Sequence, residues 1–137
     1  MMRAAAFALL LLLAACASAQ QYSSFDRIPR APNARAVAAA PLWENPTFTA
    51  MPTARDFADA YPRDALATGV SARIELGCIV QDGGALACRA YNDGERRYDF
   101  ERAALLVCTR FRVATTDESG ASTVGRRVNR VIIFIRG

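Results

Sequence analysis

Residues 70–91 read VSARIELGCIVQDGGALACRAY, and this stretch decides the fold. Val70, Ala72, Ile74, Leu76, Cys78 and Val80 alternate with mostly polar positions, the period-two pattern of a half-buried strand. Asp82-Gly83-Gly84 is turn chemistry, because glycine supplies the positive φ that a short hairpin loop needs. A loop over those residues sets Gln81 opposite Ala85, Val80 opposite Leu86, Cys78 opposite Cys88 and Leu76 opposite Ala90. The pairs beyond the loop mouth are then apolar and share a face, and a slip of one residue would break the match. Register and a Cys78–Cys88 disulfide support each other, since opposed residues of a non-hydrogen-bonded pair sit close enough for the bond. The competing reading is a pair of small buried thiols.

On the N-terminal side of the hairpin, Thr53-Ala54-Arg55-Asp56 caps a short helix through Ala60. Tyr61-Pro62 leads into a second helix, Arg63 to Thr68, which Gly69 ends. On the C-terminal side, Asn92 to Asp99 is a polar loop, and Phe100 to Arg110 reads as a helix with Asp99 as N-cap and Glu101 in its first turn. Phe100, Ala104, Val107, Cys108 and Phe111 recur at helical spacing and face the sheet. Thr115 to Gly125 is a loop, and the β-branched run Val128 to Ile135 is a third strand. The returning helix makes this strand parallel to the second and antiparallel to the first. Lying beside the first, it completes a small α+β domain: a three-stranded antiparallel sheet of order 2-1-3 with one or two helices on one face. Val128–Ile135 is then an exposed edge.

Composition narrows the function. The chain of 137 residues supports one small domain beyond its N-terminal segment, and its net charge is +4. All 17 basic residues are arginine, and no run of them interleaves with aromatics, so nucleic acid is not the expected partner. The absence of histidine removes the usual acid–base groups and the commonest metal ligand. Cys16, Cys78, Cys88 and Cys108 lack zinc-site spacing, and no metal or cofactor is expected. Cys108 is the one candidate nucleophile, but it has no histidine partner and sits on the core face of its helix, where a thiol is inert. Asp99 and Glu101 serve a helix start. An enzyme is not expected.

Residues 1–19 carry Arg3 and then an apolar run from Ala4 to Ala15, too short for a span of about twenty residues and suited to an export signal. Leu13-Ala14-Ala15-Cys16 resembles a lipobox that would lipidate Cys16 and anchor the chain at the outer membrane. Ala17-Ser18-Ala19 resembles an ordinary signal-peptidase site, giving a soluble periplasmic protein, and an uncleaved inner-membrane anchor is the third reading. Each puts the domain in the periplasm, where disulfides persist. Residues 20–47, with Pro29, Pro32, Pro41 and Pro46, read as a flexible Pro/Ala-rich tether from which Trp43 packs on the domain, 48–137.

Residues 48–137 resemble the C-terminal domain of TonB-type energy transducers. The resemblance rests on Tyr61-Pro62, Ala65 and Gly69, the alternating strand to Val80, Asp82-x-Gly84 in the turn, and Ala103-Ala104-Leu105 at the second helix. Arg110-Phe111-Arg112-Val113, then Gly120 and Val124 before the last strand, complete it. Paired Cys78 and Cys88 resemble a subgroup of such domains. Val113-Ala114-Thr115 lacks the family's proline, and the chain has neither the membrane-helix histidine nor the long spacer of full transducers. The resemblance implies strand addition of a segment of an outer-membrane TonB-dependent receptor, or of another envelope protein, to the last strand. The expected site is Val128, Asn129, Arg130, Val131, Ile132, Ile133 and Phe134, and a proline at Ile132 is expected to abolish binding. The alternative is an envelope lipoprotein that assembles as a homodimer through the same edge.

Overall fold

The computed structural model describes residues 28–91 and 96–137. The expected export signal with Cys16, and residues 92–95 of the polar loop, lie outside the described residues. Among the described residues no helix is long and apolar enough to cross a membrane.

The domain is α+β. Its main sheet is antiparallel with β2 (Ala72–Val80) at the centre, β3 (Leu86–Ala90) on one side and β5 (Arg127–Phe134) on the other. The hairpin register is the expected one, with Cys78 opposite Cys88, Leu76 opposite Ala90 and Val80 opposite Leu86. Tyr91 N–H donates to the Glu75 carbonyl and Gln81 N–H to the Ala85 carbonyl, each at 2.8 Å. Odd-numbered residues of β2 therefore turn their backbone groups toward β3 and even-numbered ones toward β5. Cys78 and Cys88 thus form a non-hydrogen-bonded pair. At the hairpin tip Gly84 has φ +83°, and a Cβ there would collide with the Val113 carbonyl, so glycine serves both the turn and the close approach of the next sheet.

α4 (Phe100–Cys108) packs on one face of the sheet. Its buried residues are Phe100, Ala103, Ala104, Val107 and Cys108, the i, i+3, i+4, i+7, i+8 stripe of an amphipathic helix. They meet Ile74, Leu76, Cys78 and Val80 of β2, and Val128, Ile132 and Phe134 of β5. Each of the large apolar side chains stabilises the fold by about 1.5–3 kcal/mol. α2 (Ala54–Ala60) and α3 (Arg63–Thr68) close the end of this core. A reciprocal Thr53–Asp56 capping box starts α2. Tyr61, between the two helices, is buried against Phe100 and Phe134 at ring separations of 5.7 and 5.5 Å, and its hydroxyl donates to the Val70 carbonyl. Gly69, at φ +72°, stops α3 with its N–H on the Ala65 and Leu66 carbonyls.

Five features differ from the sequence reading. Residues 34–43 fall inside the expected tether, yet α1 (Ala34–Ala39) forms behind an Asn33 cap whose side chain accepts from Ala36 N–H at 2.8 Å. Val37 of α1 is buried near Gly77, on the sheet face opposite α4, so helices cover both faces rather than one. A second, two-stranded sheet joins β1 (Phe48–Ala50) to β4 (Arg112–Val113). Asp99 precedes α4 in a left-handed conformation, φ +47°, and makes no capping bond, because a side-chain cap needs extended backbone at that position. α4 itself ends at Cys108 instead of Arg110, where the chain tightens through bonds such as Arg110 N–H to the Val107 carbonyl.

Candidate functional site

The last strand, β5, is the edge that the sequence pointed to, and the structure divides its residues into two sets. Val128, Ile132 and Phe134 are core residues. Their partners across the ladder are Cys78, Ile74 and Ala72, even-numbered positions of β2, so their backbone groups are already paired. A proline at Ile132 would break the central ladder, and the test of the edge belongs at Val131 instead. Arg127, Asn129, Val131 and Ile133 point their backbone groups away from β2. The outer side of Arg127 is taken: its N–H donates to the Pro41 carbonyl at 2.8 Å and its carbonyl accepts from Trp43 N–H at 2.9 Å. This short parallel bridge through Leu42 covers one end of the edge with the chain's own N-terminal segment. Among the described residues no backbone partner meets Asn129, Val131 or Ile133 on that side.

The side chains sort the same way. Val131, Ile133 and Ile135 are 40%, 49% and 72% exposed, an apolar row on a strand that is paired on one side only. At its C-terminal end a groove of about 500 Å³ opens between β5 and the α2–α3 corner, lined by Phe57, Tyr61, Leu66, Ile133, Phe134 and Ile135, among others. The sequence reading did not find the groove wall on α2 and α3. Its one signal was that 131–135 are apolar at every position, more than a single core face requires. Trp43 packs partly on the core, as expected of it, and stands with Asn129 and Arg130 around a hollow at the other end of the free edge.

Arg130 has a structural task. Its guanidinium lies 4.7 Å from the Phe48 ring centre and 4.8 Å from that of Phe111. The rings attract the cation electrostatically where, among the described residues, its Nε finds no hydrogen-bond partner. Burial lowers the guanidinium's pKa from its ordinary value. Of the residues that carried the resemblance, Tyr61, Gly69, Gly84, Ala104 and Phe111 are fixed by packing or backbone conformation, while Pro62 links the helices, Leu105 is half-buried and Asp82 is exposed at the hairpin tip.

Away from the edge, Cys78, Cys88 and Cys108 converge in the core. Their three Sγ atoms lie within 4.8 Å of one another, and Cys78 Sγ is 3.6 Å from Cys108 Sγ. Cys88 Sγ approaches both of the others closely. A sulfur forms one bridge at a time, so the geometry admits either Cys78–Cys88 or Cys88–Cys108. The cluster contains the residue types of a soft-metal site, but three buried thiolates would leave excess negative charge in an apolar core, where charge is costly.

No protein-family model matches the chain, and no curated protein compared with it is similar.

Proposed function

We propose that the domain is a non-catalytic recognition module of the TonB C-terminal type, working in the periplasm and binding an extended segment of an outer-membrane receptor or another envelope protein by strand addition. The observation that carries this reading is the half-occupied edge of β5. Asn129, Val131 and Ile133 present N–H and C=O groups in a row that are unpaired among the described residues, beside an apolar groove. An added strand gains main-chain hydrogen bonds along the row, and the groove beside Phe57 and Leu66 selects an apolar side chain near the strand's end. The stretch Pro41–Trp43 already pairs with Arg127 in this way, so the edge accepts a strand geometrically.

Trp43 is the only tryptophan of the chain and borders the free edge, which makes its fluorescence the reporter. Titration with a synthetic extended heptapeptide from a TonB-dependent receptor's periplasmic segment is expected to change Trp43 emission saturably. Val131→Pro removes one outward N–H without touching the β2 ladder and is expected to weaken binding at least tenfold, about 1.4 kcal/mol, the net worth of a hydrogen bond or two. Equal binding by a folded Val131→Pro protein would sink the edge as the site. The second reading, self-assembly, is favoured by the exposed apolar row Val131, Ile133 and Ile135, which could pair with the same row of a second copy. A mass that doubles with concentration in light scattering, and reverts in Val131→Pro, would select it.

A further inference from the structure

We infer that Cys88 is the pivot of a movable disulfide, bonded to Cys78 in one isomer and to Cys108 in the other. Three observations meet here. The hairpin register places Cys78 and Cys88 face to face in a non-hydrogen-bonded pair, with Cα atoms 4.0 Å apart. The amphipathic stripe of α4 delivers Cys108, its last residue, to the same point, with its Cα 7.2 Å from that of Cys88. All three sulfurs are buried together, within 4.8 Å, so that whichever pair is bridged, the third sulfur is in contact with the bond. A bridge between directly opposed strand residues needs no third cysteine. A thiol held against such a bridge is placed as an exchanging partner.

The step balances within the chain. An external disulfide, such as oxidised glutathione, first takes two electrons and two protons from Cys78 and Cys88. Cys108 then loses its proton to water during a local opening, and its thiolate attacks Cys88 Sγ. The Cys108–Cys88 bond forms as the Cys88–Cys78 bond breaks, and Cys78 leaves as thiolate and takes up a proton. No net oxidation accompanies the exchange. The two isomers differ mechanically. Cys78–Cys88 staples the hairpin to itself and leaves α4 without a covalent tie to the sheet. Cys88–Cys108 ties α4 to β3 across the core, and the wider Cα separation means that the end of α4 draws toward the sheet as that bond closes.

Arginine cleavage reads the difference directly. Trypsin yields residues 74–89, containing both Cys78 and Cys88, and residues 103–110, containing Cys108. The full chain, oxidised with glutathione disulfide, acid-quenched and alkylated, is expected to give two products: a 74–89 peptide with an internal bridge, and a 74–89 peptide joined to 103–110 through Cys88. Each isomer, separated at acid pH without alkylation and returned to pH 8, is expected to regenerate the other. Cys78→Ser should retain only the cross-linked form and Cys108→Ser only the internal one. The wild-type mapping stands even if either variant fails to fold. A single linkage that stays unchanged at pH 8 through mild denaturant would overturn the proposal, as would a Cys78–Cys108 bridge with Cys88 free.

Discussion

Arg130 shows why a side chain on an edge strand need not face outward. On the core side of β5 it lies over Phe48 and Phe111, whose ring centres are themselves 5.4 Å apart, and so joins the small sheet to the large one. Arg130→Ala should lower stability by about 1–3 kcal/mol in denaturant titration, because both the cation–π contacts and the packed stem are lost, whereas Arg130→Met should recover roughly half by keeping the stem. Glycines separate equally well. Gly83 and Gly84 both have positive φ, but a Cβ at Gly83 meets open space and one at Gly84 meets the Val113 carbonyl. Gly83→Ala is therefore expected to cost about 1 kcal/mol of backbone strain, and Gly84→Ala at least about 2–3 kcal/mol, since the hairpin tip must also move off β4. Equal losses would mean that the tip is free to shift.

At the scale of elements, the loop between β4 and β5 is organised by one carboxylate. Asp117 accepts from Ser119 hydroxyl and N–H and from Ala121 N–H, and pairs with Arg126 at 2.9 Å. The Ser119 hydroxyl first, then Arg126 and the backbone N–H groups, hold its carboxyl at about 2, below the ordinary 3.8, against a smaller opposing effect of burial. A folded value below the unfolded one means that its contribution is present above about pH 4 and is lost as pH falls from there through about 2. An NMR titration should show the Ser119 and Ala121 amides shifting together near pH 2, and Asp117→Asn should abolish that step. Legibility followed length and period. The hairpin could be read because eight or more alternating positions and a glycine turn agreed on one register, and α4 because its stripe spans two turns. β1 and β4, of 3 and 2 residues, carry no period, and α1, in an alanine- and proline-rich segment, buries only Val37, so nothing in the sequence announced them. Of the site, the strand and its alternation were legible. Which half of the edge is free was not, because that depends on a segment more than eighty residues away in sequence, Pro41–Trp43, pairing with Arg127.

For the whole molecule, these pieces set a pattern of protection that hydrogen exchange can read residue by residue. β2 is flanked by strands on both sides, with α4 on one face and α1 on the other, so its amides should exchange only on the deepest openings. β5 has one strand partner, and its amides should alternate. Val128, Arg130, Ile132 and Phe134 donate toward β2 and should be slow; Asn129, Val131 and Ile133 face outward and should be faster by about a hundredfold or more, the ratio given by an opening free energy of about 2.7 kcal/mol. Arg127 breaks the alternation, because Pro41 accepts its outward N–H, and should be slow as well. Addition of an extended peptide should slow Asn129, Val131 and Ile133 together and leave Arg127 unchanged, since the chain's own segment holds that end. If the outward amides of the free protein were already as slow as their neighbours, the edge would be covered in solution and could not receive a strand. If a peptide slowed Arg127 instead, it would be displacing Pro41–Trp43, and that segment would be an internal competitor for the edge.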